Sequence, residues 1–186
     1  MKTKFLLAAV AAVSLAGCSL DQFNFLPSTK IRAQISALEI DGEITRATGS
    51  YSVKQTSQTI TFQAASGSLG AVITSFEARY EDQSGNPIGA NPRPQTLNQA
   101  VEPGKTCTAV GSATSCTFEP GKISNPVSVS LLSEEAAVLF LTKSAENGVP
   151  LSGWRARITF FGTNSNGVPF TWEEVQAITC KSCVIK

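Results

Sequence analysis

The sequence lacks histidine and has only one methionine, two tryptophans and two tyrosines in 186 residues. Without imidazole there is no Ser-His-Asp or Cys-His catalytic arrangement, no histidine metal ligand and no histidine general base. A phosphate-binding loop is also missing, because the glycine-rich stretch 66–70 runs into Ala71 and Val72 rather than the required lysine and hydroxyl residue. We therefore expect a protein that is not an enzyme and that uses no cofactor or metal.

Charge is also scarce, with fifteen basic and fourteen acidic residues. Two of the basic residues and none of the acidic ones precede Cys18, so the side chains after that point carry a net charge of −1. Proteins that bind nucleic acid through its phosphates need clustered lysine and arginine. The charge balance therefore excludes nucleic acid as an expected partner.

The first eighteen residues have the parts of a secretory leader. Lys2 and Lys4 give a basic start, an apolar run covers 5–14, and small residues precede Cys18. The run is too short to cross a bilayer as a helix, which needs about 20 apolar residues. We expect an exported protein.

The residues Leu15-Ala16-Gly17-Cys18 resemble the lipobox of bacterial lipoproteins. The resemblance implies removal of residues 1–17, a diacylglyceryl group on the Cys18 sulfur and acylation of the new amine, a multiple-chain anchor that binds membranes stably. Ser19, in place of the inner-membrane aspartate, implies the outer membrane in a host with two membranes and the outside of the cell in a host with one. The alternative is an ordinary cleaved leader that leaves a free thiol.

Four cysteines remain, an even number that predicts disulfides in an exported chain. Gly111-Ser112 is typical of a two-residue hairpin loop and sets a register in which Cys107 faces Cys116. That pair falls on a non-hydrogen-bonded rung, where two strands are closest. We therefore predict a Cys107–Cys116 disulfide.

Cys180 and Cys183 are then left to pair with each other. In an extended strand their Cα atoms would be about 10 Å apart, too far for a disulfide. We expect a turn at 180–183 that ends the last strand. A redox pair is disfavoured because only three residues follow, too few for the helix that lowers a thiol pKa. A site of four thiolates around a metal is the other alternative.

Apolar and polar residues alternate along much of the remaining chain, as in strands that are buried on one face. The alternating segments are 31–37, 58–64, 71–80, 127–131 and 154–160. Prolines indicate a long loop from Ile88 to Gly104, whereas 133–143 fits either a short helix capped by Ser133 or a buried strand. The predicted fold class is all-β, an antiparallel sandwich of about 7–9 strands at 30–186, after a tether at 18–29.

The last hairpin has the sharpest predicted register. A three-residue loop at 165–167 places Phe160 opposite Trp172. The inward side then shifts to Val175, Ala177 and Thr179, which predicts a bulge at Glu173-Glu174. Phe161 follows an inward residue and should face outward.

The segments 78–87 and 156–169 share a hairpin pattern that resembles immunoglobulin-like or fibronectin-like domains of bacterial surface proteins. The resemblance covers about 30–179 and implies an immunoglobulin-like β-sandwich, without the inter-sheet disulfide of antibody domains. Together with the lipobox, it implies a lipid-anchored envelope protein that has a structural role or binds another envelope protein. Phe161 is a candidate interface residue. Binding of a small ligand or glycan is the alternative, for which clustered outward aromatics are expected.

Three acidic pairs complete the candidate sites, at 81–82, 134–135 and 173–174. Neighbouring residues on a strand point to opposite faces, so such pairs rarely act together. A solvated hairpin turn is the expected structure near Glu81, Asp82 and Asn86, and a calcium site is the alternative.

Overall fold

The structure is a computed structural model that describes residues 29–45, 47–54, 56–89, 94–110 and 113–186. Cys18, the predicted leader and nearly all of the predicted tether lie outside these residues. The described residues form twelve strands and one helix. The strands are β1 Ile31–Ile35, β2 Leu38–Ile44, β3 Tyr51–Lys54, β4 Gln58–Ala64, β5 Ala71–Glu81, β6 Pro87–Ile88, β7 Gln95–Val101, β8 Lys105–Val110, β9 Ala113–Phe118, β10 Val127–Val129, β11 Arg155–Asn164 and β12 Pro169–Ile185, and the helix is α1 Glu134–Asn147.

The strands form three sheets. One has three strands in the order β1-β4-β10, and a large sheet has the order β3-β2-β12-β11-β5, with β6 and β7 both pairing with β5. Among the described strands, β8 and β9 pair only with each other. The predicted antiparallel architecture is wrong at one place, because β12 pairs parallel with β2. Strand β12 is 17 residues long and continues past its hairpin partner β11, and this free length pairs with β2.

The small and large sheets pack face to face through aromatic side chains. The ring of Phe62 on β4 lies 5.3 Å from that of Phe160 and 6.1 Å from that of Trp172, both at right-angled contacts across the sheets. Inward residues of β4 and β11 are fully buried, as the alternation predicts. The predicted all-β class is therefore confirmed, with two sheets packed on each other, whereas the twelve described strands exceed the 7–9 that were predicted.

Helix α1 resolves the alternative left open at 133–143. The Ser133 hydroxyl accepts from the Ala136 amide at 3.2 Å, and Gly148 ends the helix with φ +73°. The buried residues of α1 follow helical spacing and cover the core beside β2 and β3. The ring of Phe140 contacts that of Trp154 at 5.3 Å.

The predicted long loop from Ile88 to Gly104 is also wrong, because it contains β7. Leu97 and Val101 of this strand are buried, and β7 pairs antiparallel with β5. Pro94 and Pro103 lie just outside the strand, where proline costs no sheet hydrogen bond. The prolines thus bound the strand rather than exclude it.

The last hairpin confirms the register near its turn and corrects it further on. Phe160 faces Trp172, as predicted, but the pairing continues to Ala177 without the bulge predicted at Glu173-Glu174. Val175 is therefore exposed, and Glu174 lies on the inner side of the sheet. An acidic residue fits there because its carboxylate accepts a hydrogen bond from the Ala33 amide of β1 at 3.4 Å.

Candidate binding surfaces

A disulfide closes the hairpin of β8 and β9, as predicted. Cys107 is bonded to Cys116, and their Cα atoms are 4.1 Å apart. The observed pairing of β8 with β9 is the register deduced from the Gly111-Ser112 loop, although these two loop residues lie outside the described residues. The two strands make few contacts with other strands or with α1, and most of their described side chains are exposed. We call this hairpin, Lys105–Phe118, the arm.

The base of the arm is fixed to the sandwich by backbone contacts. The Gly104 amide donates to the Ser68 carbonyl at 2.9 Å, and the Gly104 carbonyl accepts from the amides of Gly67 and Glu119. A Cβ atom at residue 104 would collide with the Ala65 carbonyl oxygen, so only glycine fits there. The arm therefore leaves the sandwich in a defined direction.

Cys180 and Cys183 form the second predicted disulfide, but by a different local geometry. The expected turn that ends the strand is wrong, because β12 continues to Ile185. A register shift between Cys180 and Ser182 leaves Lys181 without a partner in β2, and the two cysteine Cα atoms are 5.8 Å apart. A bulge thus shortens the strand enough for a disulfide while pairing with β2 resumes.

The candidate interface residue Phe161 lies on the outer side of the large sheet. It pairs with Ser75 and Thr171, is half-buried and does not belong to the core cluster, unlike Phe160. Its outward position confirms the predicted strand phase. The assignment of Phe161 to an interface stays a prediction.

Three other aromatic residues have separate positions in the described fold, namely Tyr80 on β5, Phe170 on β12 and Tyr51 on β3. The Tyr80 hydroxyl donates to the Leu131 carbonyl and accepts from the Ser133 amide, both at 2.9 Å, so it holds the start of α1 against β5. Phe170 stacks on Trp172 with ring centroids 5.7 Å apart. Tyr51 is 52% exposed on β3. Within the described residues, these three side chains therefore do not gather around Phe161.

The acidic residues near the β5–β6 turn have partners of their own. Glu81 is buried and receives hydrogen bonds from Arg155 at 2.9 Å and from Arg157 at 2.8 Å. Arg157 also contacts Glu173 at 3.1 Å. The hydrogen bond from Arg157 is the main cause that lowers the pKa of Glu81, and the same contact raises the pKa of Arg157.

Asp82 caps the turn that follows β5. Its carboxylate accepts from the amides of Ser84 and Asn86 at 2.8 and 2.9 Å and from the Asn86 side chain at 3.0 Å. The hydrogen bond from the Asn86 side chain is the largest of the contacts that lower the pKa of Asp82. This arrangement is the solvated hairpin turn that was expected, with both acidic groups of the pair already engaged.

A groove between α1 and β3 is a further surface, which sequence reasoning missed. Its volume is about 540 Å³. The lining includes exposed Tyr51, apolar Val138 and Leu139, and the carboxylates of Glu134 and Glu135 at the start of α1. The acidic pair 134–135 therefore sits at a helix N-terminus, where negative charge is stabilised. In the sequence, only Ser133 indicated part of this site, as the cap of a helix. The approach of β3 to α1 depends on the tertiary fold and could not be predicted locally.

Comparisons with known proteins add little to this geometry. No family model matches the chain, and no curated protein matches it. A crystal structure described as the ApaA protein from Bordetella pertussis matches with a TM-score of 0.30 and 13% identity, over 82% of this chain and 96% of that one. Among the described residues, no helix is long and apolar enough to cross a membrane, and no three His, Cys, Asp or Glu side chains are grouped as metal ligands.

Proposed function

We propose that this chain is a lipid-anchored protein of a bacterial cell envelope, tethered through Cys18 and without enzymatic activity. The observation that carries the proposal is the pair of disulfides, Cys107–Cys116 and Cys180–Cys183, in a chain whose start resembles a lipoprotein leader. Disulfides persist in oxidising compartments outside the cytosol. In a host with two membranes, the residue after Cys18 favours the outer membrane.

The proposed role in the envelope is structural, through binding of another envelope protein. Phe161 supports this role because it is half-buried on the outer side of the large sheet and outside the core cluster. The packed sheets and the hairpin of β11 and β12 also support an immunoglobulin-like plan, a type of fold that often presents a sheet face to a partner. The parallel β2–β12 pair and α1 are then additions to that plan.

Binding of a small ligand or glycan is the second candidate, and the groove beside Tyr51 favours it. Its volume of about 540 Å³ lies within the ordinary range of ligand sites. A saturable shift of Tyr51 resonances with an added saccharide, lost in Glu135→Gln or Val138→Asp, would favour this role. If the chain instead serves in an envelope assembly, Glu135→Gln and Val138→Asp should still bind the native protein partner.

Intact-mass analysis of the chain purified from membranes tests the proposed lipid anchor at Cys18. We expect a first residue at Cys18 and the added mass of two or three acyl chains, and Cys18→Ser should release the chain from membranes. An unmodified N-terminus at another residue would contradict the proposal.

Isolation of partners from the native membrane tests the role. We expect a specific envelope protein to co-purify with the wild-type chain and to be lost with Phe161→Ala at unchanged melting temperature. Val184→Ala is the control, because Val184 is 42% exposed and lies near the end of β12, far along that strand from Thr171, the partner of Phe161. Equal recovery of the partner with both variants would remove Phe161 from the interface.

A further inference from the structure

The described chain enters the sandwich beside two turns. The Thr29 hydroxyl accepts a hydrogen bond from the Asn164 side chain at 3.0 Å. The Lys30 amide donates to the Ser68 hydroxyl at 2.8 Å. Thr29 is therefore held at one end of the molecule, which we call the entry end.

Two large apolar side chains are exposed at the entry end, which comprises the turns 65–70 and 164–168. Phe118 is 55% exposed at the base of the arm, where the Ser66 hydroxyl donates to its carbonyl at 2.6 Å. Val168 is 54% exposed in the other turn. Both side chains thus flank the place where the chain enters the domain.

The charges around these side chains are mixed. The Lys105 ammonium lies 5.4 Å from the centre of the Phe118 ring, and Lys122 contacts Glu102 at 3.7 Å. Glu119 is exposed beside them. A cation over an aromatic ring, with its stem along apolar surface, suits a boundary between water and lipid. The near balance of charge means that apolar contact, and not net charge, must supply the attraction.

The opposite end of the sandwich offers a matched reference. Strand β5 starts at the entry end and runs 11 residues to Glu81, a distance of about 33 Å. Val149 is 60% exposed at that far end, between Asn147 and Leu151, which line a cleft against the turn after β5. Val149 is therefore as exposed as Phe118 but lies at the other end of the molecule.

Cys18 precedes Thr29 by eleven residues, which span at most about 40 Å when fully extended. Acyl chains on Cys18 would thus hold the domain through its entry end, with Thr29 within about 40 Å of the bilayer. We propose that the entry end rests on the phospholipid surface, with Phe118 and Val168 among the headgroups and Lys105 beside the phosphates. This orientation rests on the proposed lipid anchor.

Spin labels test the orientation in the full lipidated chain. Phe118→Cys, Val168→Cys and Val149→Cys each receive one label with both native disulfides oxidised, and the protein is placed in vesicles of phosphatidylethanolamine and phosphatidylglycerol. Collision rates with oxygen and with a water-soluble nickel chelate then report depth. We expect the labels at 118 and 168 to lose collisions with nickel and gain collisions with oxygen, while the label at 149 behaves as in water.

Hydrogen exchange of the unlabelled chain provides a measurement that needs no introduced cysteine. Amides in 65–70 and 164–168 should exchange more slowly on vesicles than in detergent, and amides around Val149 should not change. Water-like behaviour of all three labels, or equal exchange in both states, overturns the orientation even when intact mass shows acyl chains on Cys18. Absence of acyl mass overturns the lipid anchor itself, and the orientation falls with it.

Discussion

Phe160 and Phe161 are neighbours in the chain, but they have opposite environments. Phe160 is fully buried and contacts the rings of Phe62, Phe76 and Trp172, whereas Phe161 lies on the outer side of the sheet. We expect Phe160→Ala to lower the free energy of unfolding by about 3–5 kcal/mol, through a cavity in the core. Phe161→Ala should cost far less, because it empties no enclosed space.

Denaturant unfolding of the two variants measures this difference. Trp172→Ala should fall between them, because Trp172 is only half-buried but stacks on Phe160 with ring centroids 4.8 Å apart. Equal losses for Phe160→Ala and Phe161→Ala would show that the strand phase is wrong.

Glu81 should make stability depend on acid pH. Hydrogen bonds from Arg157 lower the pKa of Glu81, burial opposes this change, and Arg155 lowers the pKa further. A carboxyl group whose pKa is lower in the folded state than its unfolded value of about 4.3 stabilises the fold above that value. This contribution is lost as the pH falls through the folded pKa.

Glu81→Gln should therefore flatten the fall in unfolding free energy below about pH 5 and lower stability at neutral pH. Chemical unfolding at a series of pH values tests this expectation. Glu77→Gln is the control, because Glu77 lies on the same strand and faces Thr159 rather than an arginine. A pH profile for Glu81→Gln that is parallel to the wild-type profile would contradict the ion-pair account.

At the scale of elements, short-range signals predicted more than long-range ones. The loop at 165–167 fixed the pairing of Phe160 with Trp172, and the Gly111-Ser112 loop fixed that of Cys107 with Cys116, because turn geometry determines the register beside it. The pairing of β12 with β2 was not predictable in this way. Its partners are about 140 residues apart, and no local pattern links them.

An inward acidic residue, Glu174, explains why the predicted bulge in β12 is wrong. Val175 and Ala177 predict an inward side at odd-numbered positions, and hence the bulge at Glu173-Glu174. The structure instead places Glu174 against the Ala33 amide at the edge of β1, a partner that the sequence could not show. The groove between α1 and β3 could not be predicted for the same reason, since it forms where these two elements meet.

Tryptic mapping without reduction tests both disulfides. Cleavage after Lys105 and Lys122 leaves Cys107 and Cys116 in one peptide, which should be about 2 Da lighter than its reduced form. Cleavage after Lys181 separates Cys180 from Cys183, so 158–181 should remain linked to 182–186. A peptide that links 106–122 to either of the others would refute the pairing.

At the scale of the whole molecule, one core joins the two packed sheets. Phe62 reaches from the small sheet to Phe160 and Trp172 of the large sheet, and it is fully buried. Because neither sheet can bury this face alone, we expect both sheets to unfold together. Phe62→Ala should lower the unfolding free energy by about 3–5 kcal/mol and should weaken both sheets equally.

Native-state hydrogen exchange distinguishes joint from separate unfolding. In Phe62→Ala, the slowest amides of β4 and β11 should lose the same opening free energy, because each sheet depends on the same contact. Ile123→Ala is the control, since Ile123 lies close in sequence to the hydrogen-bond partner of Phe62 but is 55% exposed, and its loss should change neither set. If β4 amides were weakened while β11 amides kept their protection, the two sheets would be separate units, and the large sheet with its outer face would fold without the small one.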